Sequence, residues 1–202
     1  SSMKDRLILE MGDEILTANN AGTLLVRLRQ IAGGFYPETG EPICKEIAGI
    51  DALLEDVDGY PGKVVIAASF VAEIKGIVDA LARVYGEDMV TTYYGATKDR
   101  DHEVARFKDH AKFMVVNPAT AAFGLNLQFA SLMYRYSLPF SYEQNKQLED
   151  RIHRPGMKGS AVYKTIVTVG TVQEKVVKAL EKKQGVVDEF DRMTVAEYLS
   201  HA

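Results

Sequence analysis

Apolar positions along this chain follow two different periods, and the change between them divides it. Thr17 reads as a helix N-cap, and Leu24, Leu25, Leu28 and Ile31 recur at helical spacing until Gly33-Gly34. Pro37-Glu38-Thr39-Gly40-Glu41-Pro42 then reads as a turn between two short extended pieces. A second helix is predicted over 45–57, stopped by Asp58-Gly59-Tyr60-Pro61-Gly62. Beyond it the texture changes. Val64-Val65-Ile66-Ala67-Ala68 is a continuous apolar run of strand length, the pattern of a strand buried on both faces. Ile74, Ile77, Val78 and Leu81 mark one face of a helix over 71–85. Further strands are predicted at 89–94, 113–116, 132–136 and 162–169. Between them come a charged helix over 99–109 with Val104 and Phe107 inward, and a helix opened by Ser141. Thr171 opens another through Lys183, and Thr194-Val195-Ala196-Glu197 reads as the cap of a short last helix.

Strands alternating with helices at this interval predict an α/β fold: a mostly parallel central sheet with helices on both faces, preceded by an N-terminal helical extension. The expected organisation is 1–60 for the extension with its turn, 61–185 for the sheet domain and 186–202 for a tail helix. Ligands in such sheets gather at the carboxyl ends of the strands, so chemistry is expected after Ala68, Tyr94, Val116 and Tyr136.

Composition adds bounds. The 202 residues are 47% hydrophobic, enough for one large core without staples. Cys44 is the single cysteine, which excludes an internal disulfide and a cysteine-built zinc site. His102 and His110 lack partners at metal spacing, so no metal site is expected. No apolar run approaches the roughly 20 residues of a membrane span, and no signal peptide is read. Ser1-Ser2 before Met3 read as the remnant of an expression tag. The net charge of −4 argues against coating of nucleic acid by the whole surface, though one basic groove stays compatible with it.

The chemistry concentrates in two stretches. Gln144, Gln147, Arg151 and Arg154 fall three, four and three residues apart, which stacks two amides and two guanidiniums on one helix face. Arg offers five fixed donors and keeps its charge near neutral pH, so a pair on one stripe suits a phosphate chain. Upstream, Asn117-Pro118-Ala119-Thr120 leads through Gly124-Leu125-Asn126-Leu127-Gln128. Small residues there let backbone approach a ligand, and Thr120 and Asn126 can donate to phosphate or ribose oxygens.

Taken in order, these two stretches closely resemble the second RecA-like lobe of superfamily-two helicases, in the Swi/Snf-like branch, and in particular the compact helicases of phages and bacteria. The resemblance runs from about Thr17 to Lys183 and implies a RecA-like three-layer sandwich. It implies that Arg154 is an arginine finger, Arg151 its assistant and Gln147 the amide that opens the motif. Gly124, Leu125 and Asn126 match the loop coupling the nucleotide site to the nucleic-acid track. Asn117 and Thr120, Gly95-Ala96-Thr97 with Arg100, and Ser69-Phe70 match nucleic-acid contact points. Gln30 with Ile31 and Gly33 resembles a Leu-Arg-Gln-Ile segment placed before the sheet.

The implied partners are an N-terminal RecA-like lobe of the same full-length protein and DNA, met mostly through phosphates. The implied cofactors are ATP and Mg2+, and the implied location is the cytoplasm of a bacterial or phage-infected cell, in association with the nucleoid. One departure is Pro155-Gly156-Met157 where family members carry Ile-Gly-Gln or Gln-Gly-Gln; Pro155 disfavours helical geometry at Arg154. The chain carries neither a Walker-type phosphate loop nor an Asp-Glu-x-His box, so by itself it is expected not to hydrolyse ATP. Two alternatives stay open: a non-catalytic RecA-like interaction module, and an RNA-directed lobe.

Overall fold

Four-residue strands set the frame, and two of the five are apolar at every position. The computed structural model describes residues 18–121, 125–139, 142–152 and 161–181. The strands are β1 (Val64–Ala67), β2 (Val90–Tyr93), β3 (Phe113–Val116), β4 (Leu132–Arg135) and β5 (Val162–Thr165). All pair in parallel, in the order β2-β3-β1-β4-β5. The described helices are α1 (Ala18–Ala32), α2 (Ala48–Val57), α3 (Val71–Tyr85), α4 (Arg100–Asp109), α5 (Pro118–Ala121), α6 (Tyr142–Ile152) and α7 (Val172–Glu181). Thr17, Ser141 and everything from Lys182 onward, including the expected tail helix, lie outside the described residues.

Alternation along β1 shows why three layers form. Val64 and Ile66 face one side, with Ile50, Leu53 and Val57 of α2 and Ile74, Ile77 and Leu81 of α3. Val65 and Ala67 face the other, with Phe107 of α4 and Leu148 and Ile152 of α6. Each fully buried aliphatic side chain contributes about 1.5–3 kcal/mol, so both faces are strongly held. This is a RecA-like α/β sandwich with an all-parallel sheet, as the pattern predicts. A third, smaller cluster joins Leu25 of α1 to Leu138 and to Val172, Val176 and Leu180 of α7. The segment before the sheet is not a separate body: Phe35 and α2 belong to the same core as β1 and β4.

Several boundaries differ from expectation. β5 stops at Thr165 rather than reaching 169. The Thr168 amide donates to Gln173 Oε1 at 2.7 Å and its hydroxyl to Ala32 O at 3.0 Å, which draws the chain off the ladder. β2 begins at Val90, because Glu87–Met89 form a 3-10 turn. α2 begins at Ala48, because Ile47 is extended. α5 was not foreseen; Asn117 opens it by accepting the Thr120 amide at 3.2 Å. Tyr134 and Tyr136 are 2% exposed and serve the core. Phe35 and Pro42 form one antiparallel bridge across the 37–42 turn, where Gly40 takes φ +71°.

Candidate functional site

Strand register puts five chain exits in one line. Tyr93, Val116, Ala67, Arg135 and Thr165 are paired across the sheet, each the last residue of its strand. The loops that follow carry most residues singled out by sequence. After β2, the Tyr94 amide donates to Thr97 Oγ1 and the Thr97 amide to Tyr94 O, both at 3.1 Å. This small closed turn leaves Gly95 and Ala96 exposed at its tip, with nothing within 4 Å of a Cβ built on Gly95. Arg100 donates to Tyr94 O at 3.3 Å and lies 5.5 Å over the Tyr93 ring.

After β3, Asn117 is a bracket. Its Nδ2 donates to Ser69 O at 3.1 Å while its Oδ1 takes the Thr120 amide. That ties the turns after β1 and β3 together, so Ser69, Phe70, Asn117 and Thr120 share one edge.

After β1 lies a network that sequence reasoning missed. The Ser69 amide donates to Ser137 Oγ at 2.7 Å, and Ser69 Oγ donates to the carbonyls of Ser137 and Leu138. Ser137 Oγ donates to Glu73 Oε2 at 2.5 Å, and the Phe70 amide donates to the same oxygen at 3.2 Å. Arg29 of α1, 2% exposed, donates to Leu138 O and places its guanidinium 5.3 Å from the Phe70 ring centroid. Glu73 is completely buried, and burial raises its carboxyl to about pKa 7 against the pull of Ser137, the Phe70 amide and Arg29. A signal existed in sequence: Glu73 is an acidic residue in the first turn of a helix that follows a buried strand.

The stripe on α6 sits elsewhere. Asn145, Leu148 and Ile152 are buried, while Gln144 and Gln147 are exposed and Arg151 is half-buried, its Nε shielded from solvent. Leu125 and Leu127 are buried in the same cluster as Leu148, and Asn126 and Gln128 between and after them point out. Asn126 Oδ1 accepts the Gln128 amide at 3.2 Å, and the Leu127 amide donates to Arg151 O at 3.0 Å. Residues 117–131 carry the chain from the carboxyl end of β3 to the amino end of β4, and α6 returns beside them. Gly124, His153 and Arg154 lie outside the described residues.

Among the described residues no three His, Cys, Asp or Glu side chains converge as a metal set, and no helix is long and apolar enough to cross a membrane.

Fold and motif together define a class: a three-layer α/β lobe built on an all-parallel sheet. Comparison with known proteins gives the family. Residues 47–156, more than half of the chain, match the helicase conserved C-terminal domain, and the chain belongs to that family. It is the C-terminal lobe of a superfamily-two helicase, with likenesses on the Swi/Snf side. "Probable ATP-dependent DNA helicase CHR12" of Arabidopsis thaliana is 30% identical over 79 residues, 39% of this chain and 7% of that protein. The Sulfolobus solfataricus SWI2/SNF2 ATPase core domain superposes with TM-score 0.74 at 18% identity, covering 98% of this chain and 44% of that one. Its separately solved C-terminal domain gives 0.68 at 18% identity, covering 98% and 88%. The C-terminal part of the Fun30 ATPase domain gives 0.65 at 20% identity, covering 78% and 56%. The chain thus spans a small part of the curated relative and about half of two of the solved chains.

Proposed function

We propose that this chain is the C-terminal motor lobe of an ATP-dependent DNA helicase or translocase. In this reading Arg154 and Arg151 act as arginine fingers on ATP held by an N-terminal RecA-like lobe of the same full-length protein. The observation that supports it is the α6 stripe, where exposed Gln147 and half-buried Arg151 run beside the buried Leu148 and Ile152. An amide and a guanidinium fit phosphate oxygens; a guanidinium cannot ligate Mg2+, so the proposal assigns the metal to the other lobe.

Bound ATP supplies a γ-phosphoryl group whose transfer to water develops negative charge. Arg151 and Arg154 meet that charge when the cleft closes, an effect of about three to five orders of magnitude in related phosphoryl transfers. Gly124, Leu125 and Asn126 couple the nucleotide site to the nucleic-acid track in this reading; the Leu125 side chain is in the core, so only its backbone can take part.

Ser69, Phe70, Gly95, Ala96, Thr97, Asn117 and Thr120 form the nucleic-acid edge. Contact there is with phosphates, and so weakly dependent on sequence and strongly dependent on salt. Residues 117–131 join this edge to α6, so movement of Arg151 on closure reaches the strand. A cytoplasmic, nucleoid-associated site of action belongs to the same proposal; the curated relative is a plant protein, so a bacterial or phage source is part of the proposal too.

The test is Arg154→Ala in the full-length protein. ATP binding should persist while DNA-stimulated hydrolysis collapses; undiminished turnover ends the assignment. Stimulation by duplex DNA, single strands and RNA, compared side by side, separates a DNA motor from an RNA-directed one.

A further inference from the structure

A helix N-terminus gains about 1 kcal/mol from a side-chain cap, and an exposed cap suffices for that. Burying a carboxylate costs several kcal/mol unless its partners compensate. Capping of α3 therefore does not account for a Glu73 with no exposed surface. Its surroundings do. Oε2 gathers the Phe70 amide and the Ser137 hydroxyl, and Ser137 Oγ in turn takes the Ser69 amide. Among the described residues Oε1 accepts no hydrogen bond, and it lies 2.3 Å from where a Cβ on Gly33 would sit. One carboxylate thus meets three separate pieces of chain: the turn after β1, the segment leading from β4 to α6, and the end of α1.

We propose that Glu73 is a positioning residue. It holds the Ser69–Phe70 turn in the shape that meets a nucleic-acid phosphate, and it ties that turn to the chain entering α6. The inference rests on the nucleic-acid reading of this edge given above. Ionised, Oε2 is a strong acceptor and the three pieces are clamped; protonated, the same contacts weaken. The groups facing Glu73 are Arg29 from α1 and Ser69, Phe70 and Ser137 from the edge loops. Tyr136, whose hydroxyl donates to Gly33 O at 2.9 Å, completes the surround, with Asp51 of α2 beyond it. Burial places the Glu73 titration near pH 7, so the clamp can be followed at working pH.

The experiment uses the 202-residue chain, with amide spectra from pH 5 to 8.5 and anisotropy of a labelled 30-base-pair duplex at low salt. In wild type the Ser69 and Phe70 amides should move together with one midpoint near pH 7, and duplex affinity should fall at least threefold toward pH 5.5. In Glu73→Gln both pH dependences should vanish. All four histidines remain in that variant, so the difference belongs to Glu73. Ser137→Ala, which removes a smaller group, should leave the Phe70 amide titrating and uncouple Ser69 from it. Stationary amides, or equal movement in Glu73→Gln, overturn the positioning role. So does a clamp that titrates while wild type and variant bind duplex identically at every pH. Titrating amides with no duplex binding by wild type at any pH instead overturn the nucleic-acid reading of the edge.

Discussion

The backbone amide of Leu127 donates to the carbonyl of Arg151 at 3.0 Å. Leu127 is fully buried, and Arg151 is the last residue of the stripe within α6. The bond ties the crossover loop to the helix that carries Arg151. Its geometry depends on the Leu127 side chain staying seated beside Leu148. Leu127→Ala should therefore cost about 2–5 kcal/mol of stability, as buried leucine truncations do. Denaturant unfolding of the chain checks this. In the full-length protein the same variant should lower kcat for DNA-stimulated hydrolysis at temperatures where it remains folded. A loss below about 1 kcal/mol would show that the loop collapses around the gap and is not a fixed strut.

Arg151 itself gives a sharper prediction. Its role needs a planar fork of donors, which lysine lacks. In the full-length protein Arg151→Lys should behave like Arg151→Ala, with kcat reduced by about a hundredfold or more and KM for ATP little changed. Rescue by lysine would mean that a point charge suffices there. A rise in KM alone would make Arg151 a ground-state contact.

The α6 stripe was legible because helical spacing alone decides which residues share a face. Within the described part of the helix Leu148 and Ile152 pack inward while Gln144 and Gln147 are exposed. Likewise the unbroken apolar runs at 64–67 and 113–116 could only be strands covered on both sides. What sequence hid was long-range. Ser137 reaches Glu73 across 64 residues, and Arg29 reaches Leu138 across 109, so no local window contains either pair. The length of β5 was misjudged for a similar reason. Thr168 is held by Ala32, whose proximity comes from tertiary packing and not from any strand propensity.

Glu73 also makes stability depend on pH with a definite sign. Its carboxyl titrates near 7 in the fold against 4.5 as the reference value, so the folded state binds the extra proton between those limits. Stability from this group is greatest below about pH 4.5 and is lost as pH rises through about 7, by roughly 3 kcal/mol. Glu73→Gln should flatten that slope. Comparing unfolding free energies at pH 5 and pH 8 for wild type and variant reads it directly. An unchanged slope would place the titration elsewhere.

A surface pair should matter far less. Lys164 Nζ lies 2.5 Å from Asp56 Oδ2, with the two side chains 44% and 47% exposed. The lysine and the Tyr134 hydroxyl both hold the Asp56 carboxyl below its usual range. Water screens a pair this open, so Lys164→Ala should change stability by less than about 1 kcal/mol. Salt titration of the unfolding midpoint should then be nearly the same for both proteins. A larger loss would show that the aspartate's bond to Tyr134 depends on the lysine.

Gly76 separates packing from propensity, because the two predict opposite signs. It lies in the middle of α3, where replacing glycine by alanine ordinarily gains about 1 kcal/mol. A Cβ at this position would stand 2.6 Å from Phe35 Cζ and 3.1 Å from Phe35 Cε1, with Ile50 Cδ1 at 3.4 Å. Phe35 is 3% exposed and belongs to the main core, so its ring cannot swing into solvent without giving up that burial. Overpacking of this kind costs about 1–3 kcal/mol, which exceeds the helical gain. Gly76→Ala should therefore destabilise the chain, and the double variant Gly76→Ala with Phe35→Leu should recover part of the loss by removing the ring edge. Gly95→Ala is the control: nothing lies within 4 Å of its added methyl, so its unfolding midpoint should match wild type. If Gly76→Ala proves more stable than wild type, the 35–47 segment yields to α3 and does not brace it.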